Sequence, residues 1–135
     1  MKSVFTNGCF DILHSGHVEY LNEARSLGDK LIVGLNSDES VKRLKGSERP
    51  INNEVDRKFL LENLVSVDEV IIFNDDTPLN LIKKIMPDIL VKGGDWQVEQ
   101  IVGHKEVIAN GGEVKSLKFK EGYSTTSVLE KIKSL

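Results

Sequence analysis

A single cysteine, Cys9, in 135 residues leaves no partner for an internal disulfide, which fits a reducing compartment. No apolar run exceeds about five residues, Leu31–Leu35 being typical, so the sequence holds no membrane-spanning helix. The opening residues Met1–Asn7 turn polar too soon for the apolar core of a signal peptide. Only three prolines occur, and no linker-like stretch, low-complexity segment or internal repeat divides the chain. Two glycine patterns that cradle phosphates are also missing: there is no G-x-x-x-x-G-K-[ST], and no G-x-G-x-x-G follows the first strand. The expectation is a single domain over 1–135, soluble and cytoplasmic, with no membrane contact.

Apolar residues make up 39% of the chain and charged residues 29%, the balance of a folded domain and not of a disordered one. At ~150 residues per domain there is room for one core. The net charge of −3 argues against bulk nucleic-acid binding. Its distribution is uneven. Lys42, Arg43, Lys45, Arg49, Arg57 and Lys58 stand against Glu48, Glu54 and Asp56, a window of +3 on a remainder of −6. A short basic window on an acidic chain suits a small anionic ligand, or else is a solvated helix face.

The pattern along the chain alternates. Val4–Asn7 predicts a first strand. Val18, Leu21, Ala24 and Leu27 then recur every three positions, one face of a helix that Gly28 closes. Lys30–Leu35 predicts a second strand and Ser40–Lys45 a basic helical stretch, broken at Arg49-Pro50. A helix capped by Asn53 should run to Leu64 with Phe59, Leu60 and Leu64 inward. Val70–Phe73 is the third strand. Asp76-Thr77-Pro78 opens a helix with proline at its first position, carrying Leu79, Ile82, Ile85 and Met86 on one face and stopping at Pro87. Ile89–Val91, a helix over Val98–Ala109, Val114–Phe119 and a helix over Thr125–Lys133 complete the series. Strands alternating with helices imply βαβ units, and so a parallel sheet with helices on both faces. Such sheets bind ligands beyond the carboxyl ends of their strands, here residues 7–17, 36–37, 74–77, 92–95 and 119–126.

Two of the three histidines, His14 and His17, lie in the first of these segments, around Gly16 at a helix start. The free N–H groups and partial positive charge of a helix N-terminus suit a phosphate. Gly16 would allow close backbone approach, and the imidazoles would add donors. Taken alone, the pair also fits a polar turn around a core histidine. A zinc site with Cys9 or Asp11 is a third reading, although second-site cysteines are missing.

The wider stretch Gly8-Cys9-Phe10-Asp11-x-Leu13-His14-x-Gly16-His17 resembles the H-x-G-H signature of the small nucleotidyltransferases. That family includes glycerol-3-phosphate and phosphocholine cytidylyltransferases and phosphopantetheine adenylyltransferase. Gly122-Tyr123-Ser124-Thr125-Thr126 resembles the family's I-S-T-T element, and the matched segments cover nearly the whole chain. Thr6–Asp11, Asn36–Gly46, Arg49-Pro50 and Leu90-Val91-Lys92-Gly93-Gly94-Asp95 are similar to one subgroup, the adenylyltransferase domain of bacterial ADP-heptose synthesis. Its acceptor is D-glycero-β-D-manno-heptose 1-phosphate. The resemblance implies a Rossmann-like α/β fold with a five-stranded parallel sheet in the order 3-2-1-4-5. It also implies ATP, Mg²⁺ and a sugar 1-phosphate as ligands, and commonly a homodimer. One departure stands out: the arginine that cytidylyltransferase relatives carry five residues before the serine of I-S-T-T is Phe119 here, with Lys118 and Lys120 beside it.

The implied reaction is in-line attack of the sugar phosphate on the α-phosphorus of ATP. A phosphomonoester with a second pKa of about 6 is already an anion, so no general base is required. The protein's task is to position two anions and stabilise the charge that grows on transfer. On this reading His14 and His17 meet the triphosphate and transition state, and Lys45 neutralises phosphate as a point cation. Asn7, Gly8, Cys9, Phe10, Gly16, Lys92, Gly93, Gly94, Ser124, Thr125 and Thr126 surround the nucleotide. Asp11, Arg57, Asp95 and Trp96 face the acceptor. No side chain is assigned to a metal. Cys9 reads as a small packing residue, and His104 as a structural or exposed residue in mid-helix. Two alternatives stand beside this: a glycerol-3-phosphate or related cytidylyltransferase, and a non-catalytic nucleotide-binding module. Release of pyrophosphate separates enzyme from module.

Overall fold

The computed structural model describes residues 1–119 and 122–135. One parallel sheet contains β1 (Ser3–Gly8), β2 (Lys30–Asn36), β3 (Glu69–Phe73), β4 (Ile89–Gly93) and β5 (Glu113–Leu117), in the order β3-β2-β1-β4-β5. The helices among the described residues are α1 (Ser15–Ser26), α2 (Asp38–Lys45), α3 (Glu54–Glu62), α4 (Leu79–Ile85), α5 (His104–Ala109) and α6 (Thr125–Lys133). This is the order the resemblance implied.

Strand residues alternate between two buried layers, because successive side chains leave a strand on opposite faces. Val4, Leu31, Val33, Leu35, Ile89 and Val91 pack with Tyr20, Leu21 and Ala24 of α1 and Leu61 of α3. Phe5, Ile32 and Leu90 pack on the other face with Ile82 of α4 and with Ile101 and Val107. Both faces are covered, which is why the strands read as apolar runs without polar alternation.

The feature that makes room for a site lies between β1 and β4. β1 pairs with β2 from Ser3–Lys30 to Gly8–Leu35. With β4 it pairs only at Val4–Ile89 and Phe5–Leu90. Beyond that point the two strands part, leaving Asn7 and Gly8 across a gap from Lys92 and Gly93. The chain winds outward through β2 and β3, then crosses back to β4 on the far side of β1. The gap is therefore the topological switch point of the sheet, where α/β folds hold ligands.

Three local expectations are corrected. The Asn53-capped helix forms, with Asn53 Oδ1 accepting from Asp56 N at 2.8 Å, but it presents Arg57 and Leu61 inward. Phe59 and Leu60 are 65% and 43% exposed. The apolar reading rotated the helix, because it did not foresee a buried arginine with all-round partners. The helix expected over Val98–Ala109 is split. Val98–Gln100 is one 3-10 turn, Gly103 takes φ 93°, and α5 begins only at His104. A Cβ on Gly103 would approach Ile82 Cδ1 to 2.8 Å, so the break lets the chain press onto α4 and β4. His104 accordingly opens a helix instead of sitting within one. Pro78 precedes the first residue of α4 as its cap, one position before the expected place.

Candidate active site

A cavity of about 650 Å³ opens at the switch point. Its wall takes Asn7–Asp11 from the end of β1, Asn36 from β2, Lys45 and Arg49 from the segment after it, and Lys92–Gly94 from β4, with His17, Trp96, Phe119 and Thr125. The loop after β1 is bent sharply. Phe10 and Ile12 sit in left-handed backbone at φ 46° and 53°, a conformation side chains resist and functional loops often hold. Phe10 folds its ring over Gly8, where a Cβ would meet it at 3.0 Å, and lies 5.5 Å from the His17 ring.

The two histidines cap α1 reciprocally. Gly16 N donates to His14 Nδ1 at 3.1 Å, and His14 N donates to His17 Nδ1 at 3.2 Å. Both Nδ1 atoms are therefore acceptors, so each neutral ring carries its proton on Nε2. The rings stack with centroids 3.9 Å apart, a geometry that opposes charging both. Burial pushes His17 down to about 4, helped by His14 and then Lys45, and burial lowers His14 as well. At neutral pH the pair is two uncharged rings, each with a spare Nε2–H donor. His14 Nε2 is buried, with no hydrogen-bond partner among the described residues, and His14 lies outside the cavity wall, so of the two histidines expected at the triphosphate only His17 borders the cavity.

This corrects the expected part of Gly16. Its N–H is taken by the His14 ring, and His17 N and Val18 N both turn to His14 O. A Cβ on Gly16 would lie 2.9 Å from His14 Cε1 and from Tyr123 Cβ. The glycine makes room for the imidazole and not for a phosphate, and Gly16 stands outside the cavity wall. Donation passes from the helix backbone to the side chains capping it.

Arg57 is corrected too. It is 0% exposed and spends its donors internally: Nε on Asn52 O, Nη1 on Cys9 O and Asn36 O, Nη2 on Asp38 Oδ1, each at 2.8–2.9 Å. It ties α3 to the ends of β1 and β2 and cannot reach an acceptor. Asp11 is nearly as enclosed. Its carboxylate accepts from Ile51 N at 2.7 Å and Asn52 N at 3.0 Å, while its carbonyl accepts from Thr125 Oγ1 at 2.6 Å. It fastens three segments around the cavity. Ser124 caps α6 by accepting from Ser127 N at 2.9 Å. Ser124, Thr126 and Asp95 are exposed and outside the cavity wall, whereas Thr125 lines it.

Of the cations expected, Lys45 and Lys92 both border the cavity. Burial lowers the Lys92 ammonium, partly offset by Cys9 and reinforced by Lys45, so an anion beside it would be welcome. Lys92 Nζ also stands 5.7 Å from the Trp96 ring, whose Nε1 donates to Gly93 O at 3.0 Å. Burial raises the Cys9 thiol against the pull of Lys45, Arg57 and Arg49, so it is not an activated nucleophile. Phe119 lines the cavity beside Gly93, whose hydrogen is required because a Cβ would fall 2.2 Å from Phe119 Cζ. Lys118 is outside the wall, and Lys120 lies outside the described residues. Sequence reasoning missed Arg49 and Asp76 as wall residues, although Asp76 falls on a strand end already marked as ligand-facing.

A neutral His pair, three cations and a split sheet describe a site for phosphorylated ligands, and comparison with known proteins agrees. Residues 5–131 match the family model described as cytidylyltransferase-like. The chain belongs to the cytidylyltransferase-like family. It is a nucleotidyltransferase domain. This nucleotidyltransferase is 62% identical over 134 residues to the bifunctional protein HldE of Haemophilus influenzae (strain PittGG), covering 99% of this chain and 28% of that protein. It is 58% identical over 130 residues to HldE of Marinomonas sp. (strain MWYL1), covering 96% and 27%. The chain thus spans little more than a quarter of these relatives' length. A solved lipopolysaccharide core biosynthesis protein from Thermoplasma volcanium GSS1 superposes with a TM-score of 0.72 at 32% identity, covering 92% of this chain and 99% of that one.

Proposed function

We propose that this domain transfers the adenylyl group of ATP to D-glycero-β-D-manno-heptose 1-phosphate, giving ADP-heptose and pyrophosphate. The observation that carries transfer, as opposed to mere binding, is the neutral His17 imidazole on the cavity wall beside Lys45, its Nδ1 engaged by His14 N and its Nε2–H left as a donor. Neutral donors need no proton removed or supplied. They strengthen as negative charge grows on the α-phosphoryl oxygens, which is the requirement for stabilising a transition state more than a ground state. The acceptor phosphate attacks phosphorus, the bond to the bridging oxygen breaks, and pyrophosphate leaves with that electron pair. Lys45 and Lys92 offset the charge of the two anions, and the split between β1 and β4 holds them in line. The choice of ATP and heptose 1-phosphate rests on the motifs shared with the ADP-heptose subgroup and on the identity to HldE.

Among the described residues no group of three or more His, Cys, Asp or Glu side chains converges to hold a metal. Asp11, the enclosed carboxylate of the wall, is already engaged. These residues fit a Mg²⁺ that arrives on the triphosphate, where it would offset phosphate charge. No helix among the described residues is long and apolar enough to cross a membrane, and a cytoplasmic site of action accords with nucleotide chemistry. We further propose a homodimer, as the family resemblance implies, which sedimentation would detect.

Pyrophosphate release with each of four nucleotides against a panel of phosphorylated acceptors tests the assignment. ATP with the heptose 1-phosphate should be the best pair. Faster turnover with CTP and glycerol 3-phosphate would give the site to cytidylyl transfer, and binding without release would leave a nucleotide module.

A further inference from the structure

Two arginines stand near Asp11, and their surroundings differ. Arg57 is sealed and its donors are spent on carbonyls and Asp38. The Arg49 side chain is 17% exposed and borders the cavity. Its Nε lies 3.6 Å from Asp11 Oδ2, beyond hydrogen-bond length, and has no hydrogen-bond partner among the described residues. Asp11 cannot come closer, because Ile51 N and Asn52 N hold its carboxylate. A guanidinium taken this far out of water and left under-bonded costs stability unless a ligand completes it.

Its place in the cavity is distinct from that of Lys45. Lys45 acts on both His17 and Cys9, whereas Arg49 acts on Cys9 more weakly and holds its Nε 3.6 Å from Asp11 Oδ2. Two anions must meet in this site. Lys45, beside His17, suits the triphosphate, and Arg49, on the Asp11 side of the wall, adds a second cation. We propose that Arg49 binds the phosphate of the acceptor, the attacking phosphomonoester, as a bidentate fork, with the Asp11 carboxylate as its nearby counter-charge. The acceptor contact expected of Asp11 thereby passes to the arginine it supports. A guanidinium suits this task because its planar donors match two phosphate oxygens.

The inference rests on the proposed transfer reaction, and its test is built to fail separately from it. Arg49→Gln should raise KM for the sugar 1-phosphate about thirtyfold, the weight of a charge-assisted pair. KM for ATP should stay within about threefold and the melting temperature within a few degrees. Arg49→Lys should recover part of the loss, which a merely structural arginine would show in stability instead. An unchanged acceptor KM, or a rise confined to ATP or shared equally by both substrates, overturns the proposal. If the unsubstituted enzyme releases no pyrophosphate from any pair, the transfer reading fails. Calorimetric titration with inorganic phosphate then decides for Arg49: weaker binding in Arg49→Gln supports it, and unchanged binding sinks it.

Discussion

Replacing His17 separates its two tasks, capping and catalysis. The ring accepts from His14 N at 3.2 Å through Nδ1, stacks on His14 at 3.9 Å, and keeps Nε2–H for the ligand. His17→Ala removes all three. Loss of the preorganised donor should lower kcat by ~100- to 1000-fold, equivalent to about 2.7–4 kcal/mol, with KM for ATP within a few-fold. Loss of half the capping box should cost about 1 kcal/mol, a fall of roughly 3 °C in melting temperature for a domain this size. His17→Glu restores the capping acceptor, since glutamate is the usual residue at this third helical position, but sets a carboxylate where a donor was. It should therefore melt near the unsubstituted protein while remaining at least as inactive as His17→Ala. Steady-state pyrophosphate release and calorimetric melting on both variants suffice. If His17→Glu keeps activity within about tenfold, or if His17→Ala merely unfolds while its folded fraction turns over normally, donation from Nε2 is not the source of catalysis.

Because His17 titrates at about 4 in the native protein and near 6.5 when unfolded, the unfolded chain binds the extra proton between those values. Stability is then complete above pH 6.5 and lost as pH falls toward 4, by about 1–2 kcal/mol once solvent screening is allowed for. Denaturant midpoints across that range should show the slope, and His17→Gln should flatten it; equal slopes refute the assignment. Arg57→Leu strands Asp38 and the carbonyls of Cys9, Asn36 and Asn52, and should cost about 3–5 kcal/mol in urea unfolding; a loss below ~1 kcal/mol would contradict the bonding described. Cys9→Ser should keep most activity, because burial holds the thiol protonated, and a ~100-fold loss with the fold intact would show a reactive sulfur.

Strand positions and their parallel arrangement were legible because alternation of apolar runs with three-residue periodicity has one physical solution, a two-layered core about a sheet. The α1 and α6 helices were readable from spacing and caps, and α6 occupies Thr125–Lys133 as expected. What failed were places where a long-range contact outweighs local pattern. Arg57 is buried because four acceptors from three segments converge on it, which no window of sequence displays. Gly103 breaks a helix because Ile82, some twenty residues earlier, fills the space its side chain would need.

The site was legible in outline for a similar reason. His17, Lys45 and Lys92, singled out by residue type in the sequence, all line the cavity, whereas His14 supports His17 from outside it. Gly16 was misjudged because the sequence cannot show that a histidine would curl back onto its own helix start. Arg49 was passed over because it sits in the same basic window as Arg57, and composition does not distinguish a sealed guanidinium from one that faces a cavity. Only the pairing partners do.

The proposed reaction joins an adenylyl group to a sugar phosphate in this cavity. Incubating the protein with ATP, Mg²⁺ and D-glycero-β-D-manno-heptose 1-phosphate, and following pyrophosphate, tests it most directly. One pyrophosphate should appear for each ADP-heptose formed, with release abolished when the sugar phosphate is omitted. Release that ignores the sugar phosphate, or none while CTP and another phosphorylated acceptor react, would contradict it.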